Sequence, residues 1–258
     1  MKQALINRLN IFKLRIGFFG KCKLIIWSII NPVLKKFNLK LPAIKIYLPL
    51  NKQFIFITDG TDLGTFFEIF LFNEYKLSAD QPISRILDLG ANSGYASIYF
   101  AEFFKNAQII AVEADMDNVK KMQKNISAYN NRIMIEPSAV SSKRGMMDFY
   151  RNFKTSISGS TILRDSDAEK ISVPSLTLAD LEQKYGAFDI IKFDIEGGEW
   201  EAIRPEILNN QPSLWIGEYH EDLTNKPESE FVGRFDNYSV SSRKIANKRS
   251  VLTFRLKK

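Results

Sequence analysis

The 258-residue chain carries one cysteine, Cys22, and one histidine, His220. A single thiol closes no internal disulfide, so nothing in the sequence calls for an oxidising compartment. The same scarcity leaves a zinc site of the usual Cys/His kind without ligands. Long apolar runs are lacking too. The longest in the N-terminal region, Leu24–Ile30, has seven residues, far short of the ~20 that a spanning helix needs. No small-residue cleavage site follows it, which argues against a secretory signal. The protein is therefore expected to be cytoplasmic. Its composition, 45% hydrophobic and 25% charged, is that of a folded domain and excludes a disordered polymer, a collagen or a disulfide scaffold.

The most uneven absence is that of acid. Residues 1–58 hold eleven Lys/Arg and no Asp or Glu, whereas the other 200 residues hold 25 bases against 29 acids. The net charge of +7 thus belongs to an N-terminal arm on a slightly acidic body. Within the arm, Leu5, Leu9, Phe12, Ile16 and Phe19 recur at helical spacing with Arg8, Lys13, Arg15 and Lys21 among them, which predicts a basic amphipathic helix. Gly17 and Gly20 weaken it, and Pro32 is expected to punctuate its end. Two roles stay open for residues 1–40: adsorption to an anionic membrane surface, at the inner face, or packing on the body or a second subunit. Its aliphatic content argues against a nucleic-acid partner.

From Pro42 the periodicity changes. Ile44, Ile46 and Leu48 alternate with Lys45 and Tyr47, and Phe54–Ile57 follows, which predicts an edge hairpin. Residues 63–75 read as an apolar helix. Strands are then expected at Arg85–Leu89, Gln108–Glu113, Ile133–Glu136, Phe188–Asp194 and Leu214–Tyr219. Helices are expected at Tyr95–Phe104, Asp117–Tyr129, Leu178–Tyr185 and Glu199–Leu208. This alternation predicts an α/β fold with a parallel sheet covered on both faces. Tyr238–Arg243 and Val251–Leu256 read as an antiparallel pair. Residues 1–50 are taken as arm and lead-in, and 51–258 as the domain. The Ser/Thr-rich stretch 152–172 reads equally as a lid, an acceptor-recognition loop or a surface insertion.

Chemistry gathers at strand ends. In ILDLGANSGYASIYF, Asp88, Gly90, Asn92 and Gly94 follow a buried strand and precede a helix, where open α/β sheets bind ligands. The D-x-G-x-x-x-G spacing is not the G-x-G-x-x-G of a dinucleotide phosphate turn, which disfavours the alternative of a nicotinamide-dependent oxidoreductase. Glu113 ends the next strand, 25 residues after Asp88, and a carboxylate there can accept hydrogen bonds from both hydroxyls of a ribose. In DIIKFDIEGGEW, Lys192 lies in a strand otherwise fit for burial and needs a carboxylate partner. Asp194, Glu196 and Glu199 follow at the ligand edge. Asp194, Glu218 and His220 are the candidate general bases, His220 having the most suitable ordinary pKa. Asp194, Glu196 and Glu218 are three oxygen ligands compatible with Mg²⁺, though they do not demonstrate a metal site.

Taken in order, ILDLGANSGYASIYFA, AVEAD, SLTLADL, IKFDIEGGEW and GEYH resemble the motifs of the FkbM-type family of class I S-adenosylmethionine-dependent methyltransferases. EIFLFNEY resembles its entry helix. The resemblance covers roughly residues 55–222. It implies a Rossmann-like, seven-stranded, mostly parallel sheet with an antiparallel C-terminal strand pair, and S-adenosylmethionine as cofactor. Gly90, Asn92 and Gly94, with Asp88, would line its methionine part, Glu113 its ribose and Ser138 its adenine. Asp194 would stand beside the sulfonium, and Glu196 and Glu199 on the substrate side. The implied reaction is O-methylation of a sugar hydroxyl on a glycan, glycolipid or similar metabolite. A non-catalytic cofactor-binding protein would have lost the acids after the fourth strand, and all are present.

Overall fold

A computed structural model of the chain describes residues 11, 14, 16–36, 42–48, 53–78, 81–129, 131–151, 160 and 168–258. The central sheet has seven strands in the order β11-β12-β10-β9-β3-β4-β5, counting β1 Ile44–Leu48, β2 Gln53–Ile57, β3 Arg85–Leu89, β4 Gln108–Val112, β5 Ile133–Glu136, β6 Ala139–Val140, β7 Gly145–Arg151, β8 Glu169–Leu176, β9 Ile190–Phe193, β10 Leu214–His220, β11 Tyr238–Ala246 and β12 Arg249–Leu256. Strands β5, β4, β3, β9 and β10 are mutually parallel, and β12 and β11 close the edge antiparallel. The helices are α1 Phe18–Lys35, α2 Gly60–Phe66, α3 Tyr95–Phe103, α4 Met116–Asn125, α5 Leu178–Tyr185, α6 Glu199–Ala202, α7 Glu221–Thr224 and α8 Glu228–Val232.

Side chains alternate across a strand, and here the alternation divides the core into two layers. Ile86, Ile109, Ala111, Ile190 and Ile216 face one side, against Tyr95, Ile98 and Ala101 of α3 and Met122 of α4. Leu87, Leu89, Ile110, Val112, Ile191, Phe193 and Trp215 face the other, against Leu178 and Leu181 of α5 and Phe231 of α8. Helix α5 starts sharply because Thr177 and Asp180 form a reciprocal capping box. Strand order reverses between β3 and β9, so their carboxyl ends diverge around a crevice.

Several expectations are revised. The β1–β2 hairpin exists, but as its own two-stranded sheet rather than an edge of the central one. The boundary expected at residue 50 falls between its paired strands, and the core is continuous across it. Ile11, Leu14, Ile16, Leu24 and Trp27 of the arm bury in one cluster with Ile46, Ile55, Phe66 and Ile86. Helix α1 starts at Phe18 and runs past Pro32 to Lys35. Packing of Leu24 and Trp27 outweighs the one backbone hydrogen bond a proline removes. Leu5, Leu9 and Phe12 lie outside the described residues. The helix expected at 63–75 is α2 followed by a π-helical turn, Phe67–Leu71. A three-stranded sheet, β6-β8-β7, was not expected. Of the stretch 152–172, residues 152–159 and 161–167 lie outside the described residues, and 169–172 begin β8.

Candidate active site

The glycine turn after β3 and the loop after β9 are drawn together by a buried ion pair. Lys192 meets Asp88 at 3.0 Å, both almost wholly inaccessible. Its ammonium also donates to the carbonyls of Leu89 at 3.1 Å and Gly90 at 2.9 Å, and Ser97 donates to Asp88 at 2.6 Å. Burial opposes the charge on Lys192, but Asp88 and Asp194 hold its pKa above the ordinary lysine value. The carboxylate partner expected for Lys192 is therefore Asp88. Gly90 completes the join: at φ +72°, a Cβ there would lie 1.9 Å from the Asp194 carbonyl oxygen, so only glycine fits.

Between these loops opens a cavity of about 430 Å³, within the range of small-molecule and cofactor sites. Gly90, Asn92, Glu113, Ser138, Asp194, Glu196, Glu218 and His220 all line it. Three expected site residues do not. Asp88 is fully buried under Lys192. Gly94, at φ +85°, caps α3, and a Cβ there would press on Met122 Cγ at 2.7 Å, so its role is close helix packing. Glu199, expected to touch substrate, is 0% exposed. Its carboxylate accepts from the backbone of Ile195 at 3.3 Å and Gly197 at 2.9 Å, and meets His220 Nδ1 at 2.9 Å. Glu196, at φ +54°, and Gly197, at φ +100°, bend the chain so that Glu199 points inward.

The cofactor end is preformed. Glu113 accepts from the backbone of Asn92 at 2.8 Å and Asp115 at 2.7 Å. Each carboxylate oxygen retains acceptor capacity for a vicinal diol. Burial, partly offset by those hydrogen bonds, pushes the Glu113 pKa up to about 7. Ser138 is 1% exposed, and its hydroxyl has no hydrogen-bond partner among the described residues. A buried orphan polar atom of this kind points to a ligand. The cavity volume, the diol acceptor and this orphan hydroxyl fit S-adenosylmethionine.

Beyond Asp194 the cavity wall is acidic. His220 Nε2 points at three carboxylates: Glu196 at 3.5 Å, Glu218 at 3.6 Å and Asp194 at 3.9 Å. Burial works against a charged imidazole, but the Glu199 hydrogen bond and the charges of Glu199, Asp194 and Glu196 push His220 up to about 9. At neutral pH it is an imidazolium, a donor rather than an acceptor of protons. The ordinary histidine range on which its expected role as base rested does not apply in this setting. Burial and Asp194 raise the Glu218 pKa, and burial with Glu196 raises that of Asp194 against the pull of Lys192. Asp194 Oδ1 has no hydrogen-bond partner among the described residues, while Tyr75 donates to Oδ2 at 3.4 Å. Ligand atoms of Asp194, Glu196 and His220 lie within 4.8 Å of one another. One imidazole with two carboxylates suits a transition ion better than the all-oxygen shell of Mg²⁺. Such an ion would compete with a proton for Nε2.

Glu68, within the π-helical segment, Glu74 and Tyr75, just after it, and Phe149 of β7 also line the cavity. None was expected at the site. A π-helical turn is itself a sign of function, but it leaves no mark in the sequence pattern.

A parallel sheet with its strand reversal at the β3/β9 crevice, an acid just after β4 and a cavity whose lining fits S-adenosylmethionine are features of the class of S-adenosylmethionine-dependent methyltransferases. The FkbM methyltransferase domain model matches residues 88–238, more than half of the chain, and the protein belongs to that family. Comparison with curated proteins gives no significant match. Among solved structures, the chain is similar to a precorrin-6y C5,15-methyltransferase from Geobacter metallireducens (13% identity, 78% of this chain and 90% of that one, TM-score 0.46). It is also similar to an O-methyltransferase from Bacillus cereus in complex with SAH (13% identity, 67% and 74%, TM-score 0.41).

Proposed function

We propose that the protein transfers a methyl group from S-adenosylmethionine to a hydroxyl of a sugar or similar polyhydroxylated acceptor. The observation that carries this reading is the Asp194 carboxylate, which lines the cavity where its cofactor end meets its acidic wall. The bound cofactor supplies an activated methyl group. The protein must align an acceptor with it, exclude water and take up a proton.

Asp194 is the proposed base. Burial, with the charge of Glu196, makes it more basic than an ordinary aspartate, and the His220 imidazolium at 3.9 Å offsets the charge of its carboxylate partners. The acceptor hydroxyl gives its proton to the Asp194 carboxylate as its oxygen takes the methyl group, leaving a methyl ether and S-adenosylhomocysteine. Glu68, Glu74, Glu196 and Glu218 line the same cavity. Carboxyl oxygens accept from the several O–H donors of a sugar, and a protonated carboxyl can also donate to a sugar oxygen.

The test is radiolabelled methyl transfer from S-adenosylmethionine to a panel of glycans and glycolipids, followed by alkali. The label is expected in an alkali-stable ether. Label released by alkali as a carboxyl ester, or retained on nitrogen, overturns the hydroxyl reading.

A further inference from the structure

Helix α1 is apolar on two opposite faces. One face carries Leu24 and Trp27 into the core beside Ile46. On the other, Phe19, Ile26, Ile29, Ile30 and Val33 recur three, four or seven positions apart and remain 39–81% exposed. A stripe of this kind on a helix already docked by its opposite face marks an interaction surface. We propose that this outer face of α1 binds the protein to an anionic lipid bilayer, with the helix lying in the plane of the surface.

Charge selects the occupant. Residues 1–58 hold eleven Lys/Arg and no acid, and Lys23 and Lys36, each three positions from a residue of the stripe, are exposed. A second copy docking through this face across a two-fold axis would set that positive charge against itself. Anionic headgroups neutralise it while the apolar stripe enters the acyl boundary. Among the described residues no helix is long and apolar enough to cross a membrane, and the buried Leu24–Trp27 face keeps α1 attached to the body. The proposal is independent of which acceptor is methylated.

The full-length protein is sedimented with vesicles of phosphatidylcholine alone or with 30% phosphatidylglycerol. Binding to the anionic vesicles is expected to be at least tenfold tighter, and to weaken without vanishing as salt rises. The double variant Ile26→Asn/Val33→Asn should lose tenfold or more in affinity. Its circular dichroism and S-adenosylhomocysteine affinity should be unchanged, which separates loss of the lipid surface from loss of fold or of the methyltransferase site. Lys23→Glu should reduce the preference for anionic vesicles. Three results overturn the proposal: no binding to anionic vesicles at low salt, equal binding by the double variant, or a wild-type dimer that the double variant turns into a monomer.

Discussion

Two ionic clusters lie on either side of the Gly90–Asp194 contact and differ in charge balance. In the first, Lys192 is matched by Asp88, and its remaining donors are taken by two backbone carbonyls. In the second, one imidazole faces Asp194, Glu196, Glu199 and Glu218. In the balanced cluster one cation meets one carboxylate, and Asp88 is wholly buried while only Lys192 reaches the cavity wall. The unbalanced one lines the cavity with Asp194, Glu196, Glu218 and His220, a single cation among several acids. Balance marks the structural brace, and imbalance marks the place for chemistry.

Breaking the brace should have the largest effect. Lys192→Met leaves Asp88 as an uncompensated buried charge and should cost about 3–5 kcal/mol of stability in denaturant unfolding. A cost below ~1 kcal/mol would show that the pair holds nothing together. Asp194→Asn should spare stability, since it removes one of several crowded carboxylates. S-adenosylhomocysteine affinity should also persist, while turnover falls ~100-fold, about 2.7 kcal/mol of barrier. Full turnover in that variant places the base elsewhere.

Glu113→Ala should weaken S-adenosylhomocysteine binding by about 2 kcal/mol in calorimetry. Because burial lifts the Glu113 pKa to about 7 and a diol donates to the ionised form, wild-type affinity should rise with pH through 7. The variant should lose that dependence. Last, the single histidine allows direct titration by NMR, with a midpoint expected near 9. Folding raises this pKa, so the stabilisation it provides is complete below about pH 6.5 and is lost as pH rises through about 9. Glu199→Gln should lower the midpoint by about one to three pH units. An unchanged midpoint would deny Glu199 its part in holding the imidazolium.

Much of the central sheet was legible because its strands alternate cleanly between two apolar layers. Strands Arg85–Leu89 and Ile133–Glu136 have the bounds that the sequence predicted, as does the covering helix Leu178–Tyr185. The β6-β8-β7 sheet was not legible. Strand β6 is only two residues long, and β7 and β8 bury just Phe149 and Val173 with Ser175, so little apolar signal is left to read.

The sequence by itself determined the order of the strands and helices that build the central sheet, the acids at strand ends, the need of Lys192 for a partner and the acid-free arm. These follow from local periodicity and composition. Only the tertiary structure decided which acids reach the cavity. Glu196 and Glu199 stand three positions apart, yet one lines the cavity and the other is wholly buried on His220. Positive φ at Glu196 and Gly197 makes that division. The charge state of His220 was likewise decided by space, because an imidazole titrates in the field of every carboxylate packed around it, and those of Asp194, Glu196 and Glu199 come from a different strand end than its own.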